Sequence, residues 1–221
     1  MFTGFNEKTT EFLWGIGLNN ERGWFMEHKQ EYADHLQTPL RALADEVWTC
    51  FTEKTKLDLN FHVARIHRDA RRFRDGRPYK ENLWFSMERD HKAWTAEPGF
   101  FFEITPEGYS YGMGYFMAPA AVMKKFRDRL DANPAGFERI ALGLPKDFHI
   151  YGDEYSRPKG IKEGLLAEWY NRKTIGVIAE YKGHDKLYAP KFAKTLCDAF
   201  VSLAPLYSFL LPLSGEPGPA D

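Results

Sequence analysis

The run GFFFEITPEGYSYGMGYFM, Gly99 to Met117, leaves its backbone few choices. Two aromatic-rich stretches flank Pro106-Glu107-Gly108, a connection suited to little except a reversal of chain direction, so they pair as an antiparallel hairpin. In the second arm Tyr109, Tyr111, Met113 and Tyr115 alternate with Ser110, Gly112, Gly114 and Phe116. One face is therefore bulky and the other nearly bare. Strand glycines weaken a sheet and are tolerated where something must come close, so the bare face is expected to receive a packed helix or a ligand.

Helical spacing surrounds this hairpin on both sides. Asn6 suits the cap of a helix carrying Phe12, Leu13 and Ile16, with Phe5 ahead of it as a staple. Trp24, His28 and Tyr32 recur at every fourth residue, a single helical stripe that reads as core or as the wall of a pocket. Thr38-Pro39 reads as a helix start, opening a segment with Leu40, Leu43, Val47, Trp48 and Phe51 at core spacing. After Asp58 the period changes to two: Phe61–Arg68 and Asn82–Glu88 read as strands, as does TIGVIAEYK later. Tyr188 to Leu211 closes the chain as a helix with Phe192, Leu196, Phe200 and Leu203 inward. The expected architecture is a single α+β domain over residues 1–212, a mainly antiparallel sheet packed by helices from both ends of the chain, followed by a flexible tail at 213–221.

Cys50 and Cys197 lie far apart, form no C-x-x-C pair and sit in apolar helical contexts, which reads as buried free thiols. With no leader-like N-terminus and no long uninterrupted apolar run, the expected address is cytoplasmic, with no membrane partner. Neither H-E-x-x-H nor a cysteine pair supplies a metal site, and no P-loop, G-x-S-x-G or dinucleotide fingerprint calls for a cofactor.

One stretch breaks the even distribution of charge. The whole chain carries 30 Lys and Arg against 31 Asp and Glu, yet RIHRDARRFRDGRPYK, Arg65 to Lys80, holds six arginines and a lysine with only two aspartates. That local +5 leaves −6 for everything else. Guanidinium presents a fixed fork of donors matched to phosphate or carboxylate oxygens, so the preference for arginine favours geometric recognition of an anion. Arg65 and Arg68 fall on opposite sides of a strand, Asp69 is available to orient one of them, and Arg71, Arg72, Arg74 and Arg77 surround a turn at Asp75-Gly76. Arginines at strand ends also pair with a protein's own carboxylates, and that reading stands beside the first.

Gly4-Phe5, Asn19-Asn20, Arg22, Trp24-Phe25, Lys29, Tyr32, Arg65-Ile66, Arg68-Asp69, Arg71, Asp75, Pro78-Tyr79-Lys80 and the later Arg157-Pro158-Lys159-Gly160 together form a recognisable pattern. The chain resembles a widespread microbial and fungal family classed only as a domain of unknown function. The basic stretch departs from that pattern at Arg72, where the family has phenylalanine, and at Gly76, where it has lysine. The resemblance implies a single-domain protein and supplies no activity.

Three functional readings are open. In the first, a binding domain or enzyme takes a small phosphorylated or carboxylated ligand through Arg65, Arg68, Arg71 and Lys80. Asn20, Arg22, Trp24 and Arg157 contribute to the same cleft, and His67, Asp69 and Tyr79 are candidates for proton chemistry. His149, Tyr151 and Asp153 are placed with Arg157 as a further wall. The second is a nucleic-acid-associated protein, with Phe73 and Tyr79 stacking between phosphate contacts, although a net charge of −1 argues against a broad basic surface. The third is a structural or interaction module whose arginines form a salt-bridge network and hold no ligand.

Overall fold

In the computed structural model, which describes residues 1–69, 75–89, 96–160 and 163–215, the N-terminal quarter is helical. It comprises α1 (Glu7–Leu18), α2 (Arg22–Glu27), the single turn α3 (Lys29–Glu31), a π-helical stretch Tyr32–Gln37 and α4 (Thr38–Thr55). Asn6 caps α1 in extended conformation, its own N–H donating to Thr9 Oγ1 at 3.3 Å. α4 opens at Thr38-Pro39 as its sequence suggests, but helical backbone already runs into it from Lys29, so no extended cap precedes the proline. Proline inside a helix has no N–H for the carbonyl four residues earlier and crowds it. That carbonyl belongs to His35, and it accepts instead from the buried Thr9 hydroxyl of α1 at 2.6 Å. Widening to π geometry just before Pro39 accommodates the ring, and a residue from another helix supplies the missing donor.

The sheet comes next, with β1 (Asn60–Val63), β2 (Leu83–Glu88), β3 (Gly99–Ile104) and β4 (Gly108–Gly114). Helices α5 (Ala120–Ala132) and α6 (Pro134–Leu142), strand β5 (His149–Tyr151) and helix α7 (Leu165–Tyr170) precede β6 (Gly176–Lys182) and α8 (Phe192–Leu210). Every neighbouring pair is antiparallel in the order β1-β2-β3-β4-β6-β5. The hairpin forms as expected, with Thr105 N–H donating to Gly108 O at 2.9 Å across the turn. The strand expected over Phe61–Arg68 is shorter: regular pairing ends at Val63, and beyond it only His67 bridges, to Tyr79, among the described residues. The described arms of the basic stretch, 65–69 and 75–80, thus pair as a second, looser ladder beyond the end of β1, the basic hairpin below.

Period-two alternation gives the sheet two unlike faces. Phe85, Met87, Phe100, Phe102, Tyr111, Met113, Val177 and Ala179 are buried on one, against α4 and α8. Phe100 meets Phe51 of α4 at 4.8 Å between ring centroids and Phe200 of α8 at 5.2 Å. The other face carries Trp84, Ser86, Glu88, Phe101, Glu103, Ser110 and Glu180. At its Gly114 end the bare face is filled from within the sheet. A Cβ at Gly114 would come within 2.8 Å of the Tyr151 hydroxyl, and one at Gly176 would strike the Tyr151 ring. Tyr151 lies across both glycines and donates to Tyr115 O at 2.7 Å, so at this end the occupant is a side chain of the edge strand β5.

Cys50 and Cys197 are not free thiols: they form a disulfide between α4 and α8, Cα atoms 6.3 Å apart and 147 residues apart in sequence. Helices that share one face of a sheet bring together cysteines that no spacing rule connects. The thiol state is thereby removed as a ground for a reducing compartment. Phe192–Ser214 is long and apolar enough to cross a membrane by composition, but half of its most apolar window is buried here as a core helix. Leu213, assigned to the tail from sequence, is 3% exposed in a closing 3₁₀ turn, and the rest of the expected tail from residue 216 lies outside the described residues. Reduction is expected to lower the unfolding free energy by roughly 2–5 kcal/mol. Denaturant melts with and without reductant measure this, and Cys50→Ala should abolish the difference.

Candidate functional site

The basic hairpin is pinned by backbone bonds before any side chain is considered. Arg68 N–H donates to Pro78 O and Lys80 N–H to Ile66 O, each at 2.8 Å. Asn20, in the link between α1 and α2, grips the returning arm: its Nδ2 donates to Tyr79 O and its Oδ1 accepts from Tyr79 N–H, both at 3.0 Å. An amide side chain is the one neutral group that offers donor and acceptor side by side, as a peptide does. Below this clamp Tyr79, 4% exposed, stacks on Phe25 of α2 at 4.3 Å. The Tyr32 hydroxyl bonds the Ile66 backbone, and its burial raises its pKa.

Asn20 thus positions the hairpin, and its amide is spent on doing so. Trp24 stacks on His28 at 3.9 Å and packs against Gly15, so it supports α1 and does not face Lys80. Arg22 is exposed at the first position of α2. His67 is exposed with its ring 5.2 Å from that of Tyr79, which makes it the more accessible of the two for proton transfer. Asp69 is half-buried near the start of the loop, and Arg71 lies outside the described residues. Arg157 does not join this group. It lies just after β5, the opposite edge strand from β1, and five inter-strand spacings make about 24 Å. His149, Tyr151 and Asp153 are separated from the basic hairpin for the same reason.

The described cations of the hairpin divide into two kinds, Arg71, Arg72 and Arg74 lying outside the described residues. Arg68 Nη1 pairs with Asp75 Oδ2 at 2.7 Å, and Asp75 Oδ1 accepts from Arg77 N–H at 3.2 Å. The hydrogen bond from Arg68, helped by the one from the Arg77 backbone, holds the Asp75 carboxyl below the usual carboxylate range. Arg77 in turn pairs with Glu81. Arg65 and Lys80 have no carboxylate partner among the described residues. Lys80 Nζ donates to Arg65 O at 2.6 Å and lies 5.8 Å from the centre of the Trp84 ring. Burial lowers the Lys80 pKa, and the Arg65 guanidinium lowers it further.

Trp84 links this edge to the sheet face opposite α4 and α8. Glu103 is its cross-strand partner, and Phe101 is that of Ser86. Glu103 accepts from Asn82 Nδ2, while burial raises its carboxyl above the usual range against the opposing effect of that bond. Ser86 is 8% exposed and its Oγ has no hydrogen-bond partner among the described residues. Trp84, Ser86 and Glu103 match no motif in the sequence, although the alternation of Leu83, Phe85 and Met87 with Trp84, Ser86 and Glu88 carries the signal. Surface depressions of about 350 Å³ beside α6 and α8 and about 430 Å³ beneath the end of α4 include no residue of 65–80. No group of three or more metal-ligating side chains occurs among the described residues.

An antiparallel sheet with helices on one face and a clamped cationic hairpin at its edge places the chain among single-domain α+β proteins. Residues 8–209 match the model of a family of conserved hypothetical proteins, DUF2461, and the chain belongs to that family. Comparison with curated proteins gave no match.

Asn20→Ala leaves the Tyr79 peptide without either partner and should cost roughly 2 kcal/mol or more by denaturant melts. Glu103 has a folded pKa above its unfolded one, so it binds its proton more tightly when folded. Its destabilising effect is therefore absent below the unfolded carboxylate pKa and complete once pH exceeds the folded value. Glu103→Gln should raise the melting temperature at neutral pH, and the gap should close on acidification through the carboxylate range.

Proposed function

We propose that this chain is a binding domain for a small phosphorylated or carboxylated molecule, and that Arg65 and Lys80 make the anion contacts. What supports this reading is the pairing pattern. Arg68 and Arg77 each have a carboxylate of their own, whereas Arg65 and Lys80 sit side by side without one among the described residues. Lys80 is partly desolvated beside the exposed Arg65 guanidinium, and an anion between these like charges relieves their opposition. In this reading Arg68, through Asp75, and Asn20, through Tyr79, position the hairpin; Trp84 forms the wall beneath Lys80.

The structural-network reading suits Arg68 and Arg77, whose ion pairs are internal. It leaves Arg65 and Lys80 unaccounted for. A nucleic-acid role would need a wider basic surface than a net charge of −1 favours.

Thermal unfolding of wild type, Arg65→Ala, Lys80→Ala and Arg68→Ala against inorganic phosphate, dicarboxylates, nucleotides and short single-stranded DNA tests the proposal. A small anion at a hundredfold its dissociation constant should stabilise the wild type by about 2.7 kcal/mol. Arg65→Ala and Lys80→Ala should lose that stabilisation while melting close to wild type, and Arg68→Ala should melt lower without any ligand. The proposal fails if no small anion shifts the wild type, or if the shift survives both substitutions. A shift by DNA alone that vanishes at moderate salt would move the function to nucleic acid.

A further inference from the structure

The cationic edge and the sheet face opposite α4 and α8 meet at Trp84. Lys80 Nζ approaches its ring from the hairpin side, and Glu103 is its partner across β3. Directly opposed residues in such a ladder stand about 5 Å apart, and Ser86, two residues along β2 from Trp84, is about 7 Å further along the same face. A molecule a few bonds long therefore spans from Lys80 to Glu103. We infer that the ligand of this edge is zwitterionic: its phosphate or carboxylate rests on Arg65 and Lys80, and its ammonium is received by Glu103 and the Ser86 hydroxyl. This rests on the anion-binding reading and adds the class of ligand.

Two features of the face point to a missing donor. Ser86 Oγ is buried with no hydrogen-bond partner among the described residues, in a residue 8% exposed whose side chain projects onto this face. A buried polar group left unpaired costs stability, and such groups are rare without a reason. Glu103 is a partly desolvated carboxyl whose neighbour in hydrogen-bond contact is a neutral amide, Asn82. A carboxylate taken out of water lacks a cation before anything else. An ammonium offers donors to both oxygens at once and keeps its charge over the face of Trp84 and beside Phe101, where organic cations are favourably placed.

Calorimetry with 4-aminobutyl phosphate, 4-hydroxybutyl phosphate and butyl phosphate separates the possibilities. The amino compound should bind about 10- to 100-fold more tightly than butyl phosphate, the range expected of one hydrogen bond to a charged group. Glu103→Gln, which retains an acceptor for Asn82, should bring that ratio close to one and leave the affinity for butyl phosphate unchanged. Ser86→Ala should weaken the amino compound without lowering the melting temperature of the unliganded protein, an outcome that a purely structural hydroxyl would not give. If Glu103→Gln does not fold, Ser86→Ala decides. Equal binding of all three phosphates, lost on Arg65→Ala, would overturn this inference and keep the anion reading. Binding of none of them would overturn both. Preference for the hydroxyl compound would replace an ammonium-bearing ligand with a hydroxylated one.

Discussion

Phe100 and Phe102 of β3, pressed between Phe51 of α4 and Phe200 and Phe192 of α8, fix the layout of the whole domain. Each of these rings contributes roughly 1.5–3 kcal/mol on burial, and they come from three distant parts of the chain. To make this contact, helices from both ends of the sequence must lie on one face of the sheet. That commits the other face to whatever the strands themselves carry. It also brings Cys50 and Cys197 within bonding distance and turns the connection from β1 to β2 outward at an edge. The position of the basic hairpin is thus a consequence of core packing, and its function has to be compatible with an edge.

Edges are exposed and their loops need anchoring. Here the anchor is a set of contacts that ignore charge: the Asn20 amide on the Tyr79 peptide, Phe25 under the Tyr79 ring, the Tyr32 hydroxyl on the Ile66 backbone. With the backbone held by neutral groups, the cations of the hairpin are not needed for its folding in equal measure. Arg68 and Arg77 brace the turn through Asp75 and Glu81. The exposed Arg77–Glu81 pair contributes little and the less exposed Arg68–Asp75 pair more, and together they take two arginines and two carboxylates out of contention at the edge. Among the described cations of the hairpin, Arg65 and Lys80 remain.

Much of the architecture was legible because it is local. The 99–117 hairpin, the inward stripe of Phe192, Leu196, Phe200 and Leu203, and the capping of α1 depend on neighbours within a few residues. Three features were less legible for the opposite reason. Pro39 opens α4 as its position suggests, but the helical backbone ahead of it, with the Thr9 hydroxyl of α1 donating to His35 O, carries no local signal. The bare face of β4 suggested a visitor, and at its Gly114 end the visitor is Tyr151, which reaches it only because β5 pairs outside β6. The cysteines looked unrelated until two helices shared a face. At the candidate site, arginine density pointed to one hairpin but not to which of its cations are committed, because ion pairing within a loop depends on its fold. Arg157 was grouped with the hairpin by its charge, and strand order separates them.

The sheet face opposite α4 and α8 carries two costs that its fold does not require. One is a buried serine without a hydrogen-bond partner among the described residues, and the other is a glutamate whose carboxyl is raised by burial. Natural sequences tend to depart from agreement between local rules and fold at functional positions. Ser86 and Glu103 depart from it together, on one face, one strand apart, next to the tryptophan that Lys80 approaches. Two separate costs in one place, beside two cations without carboxylates among the described residues, are most simply explained by a single ligand that offsets all of them.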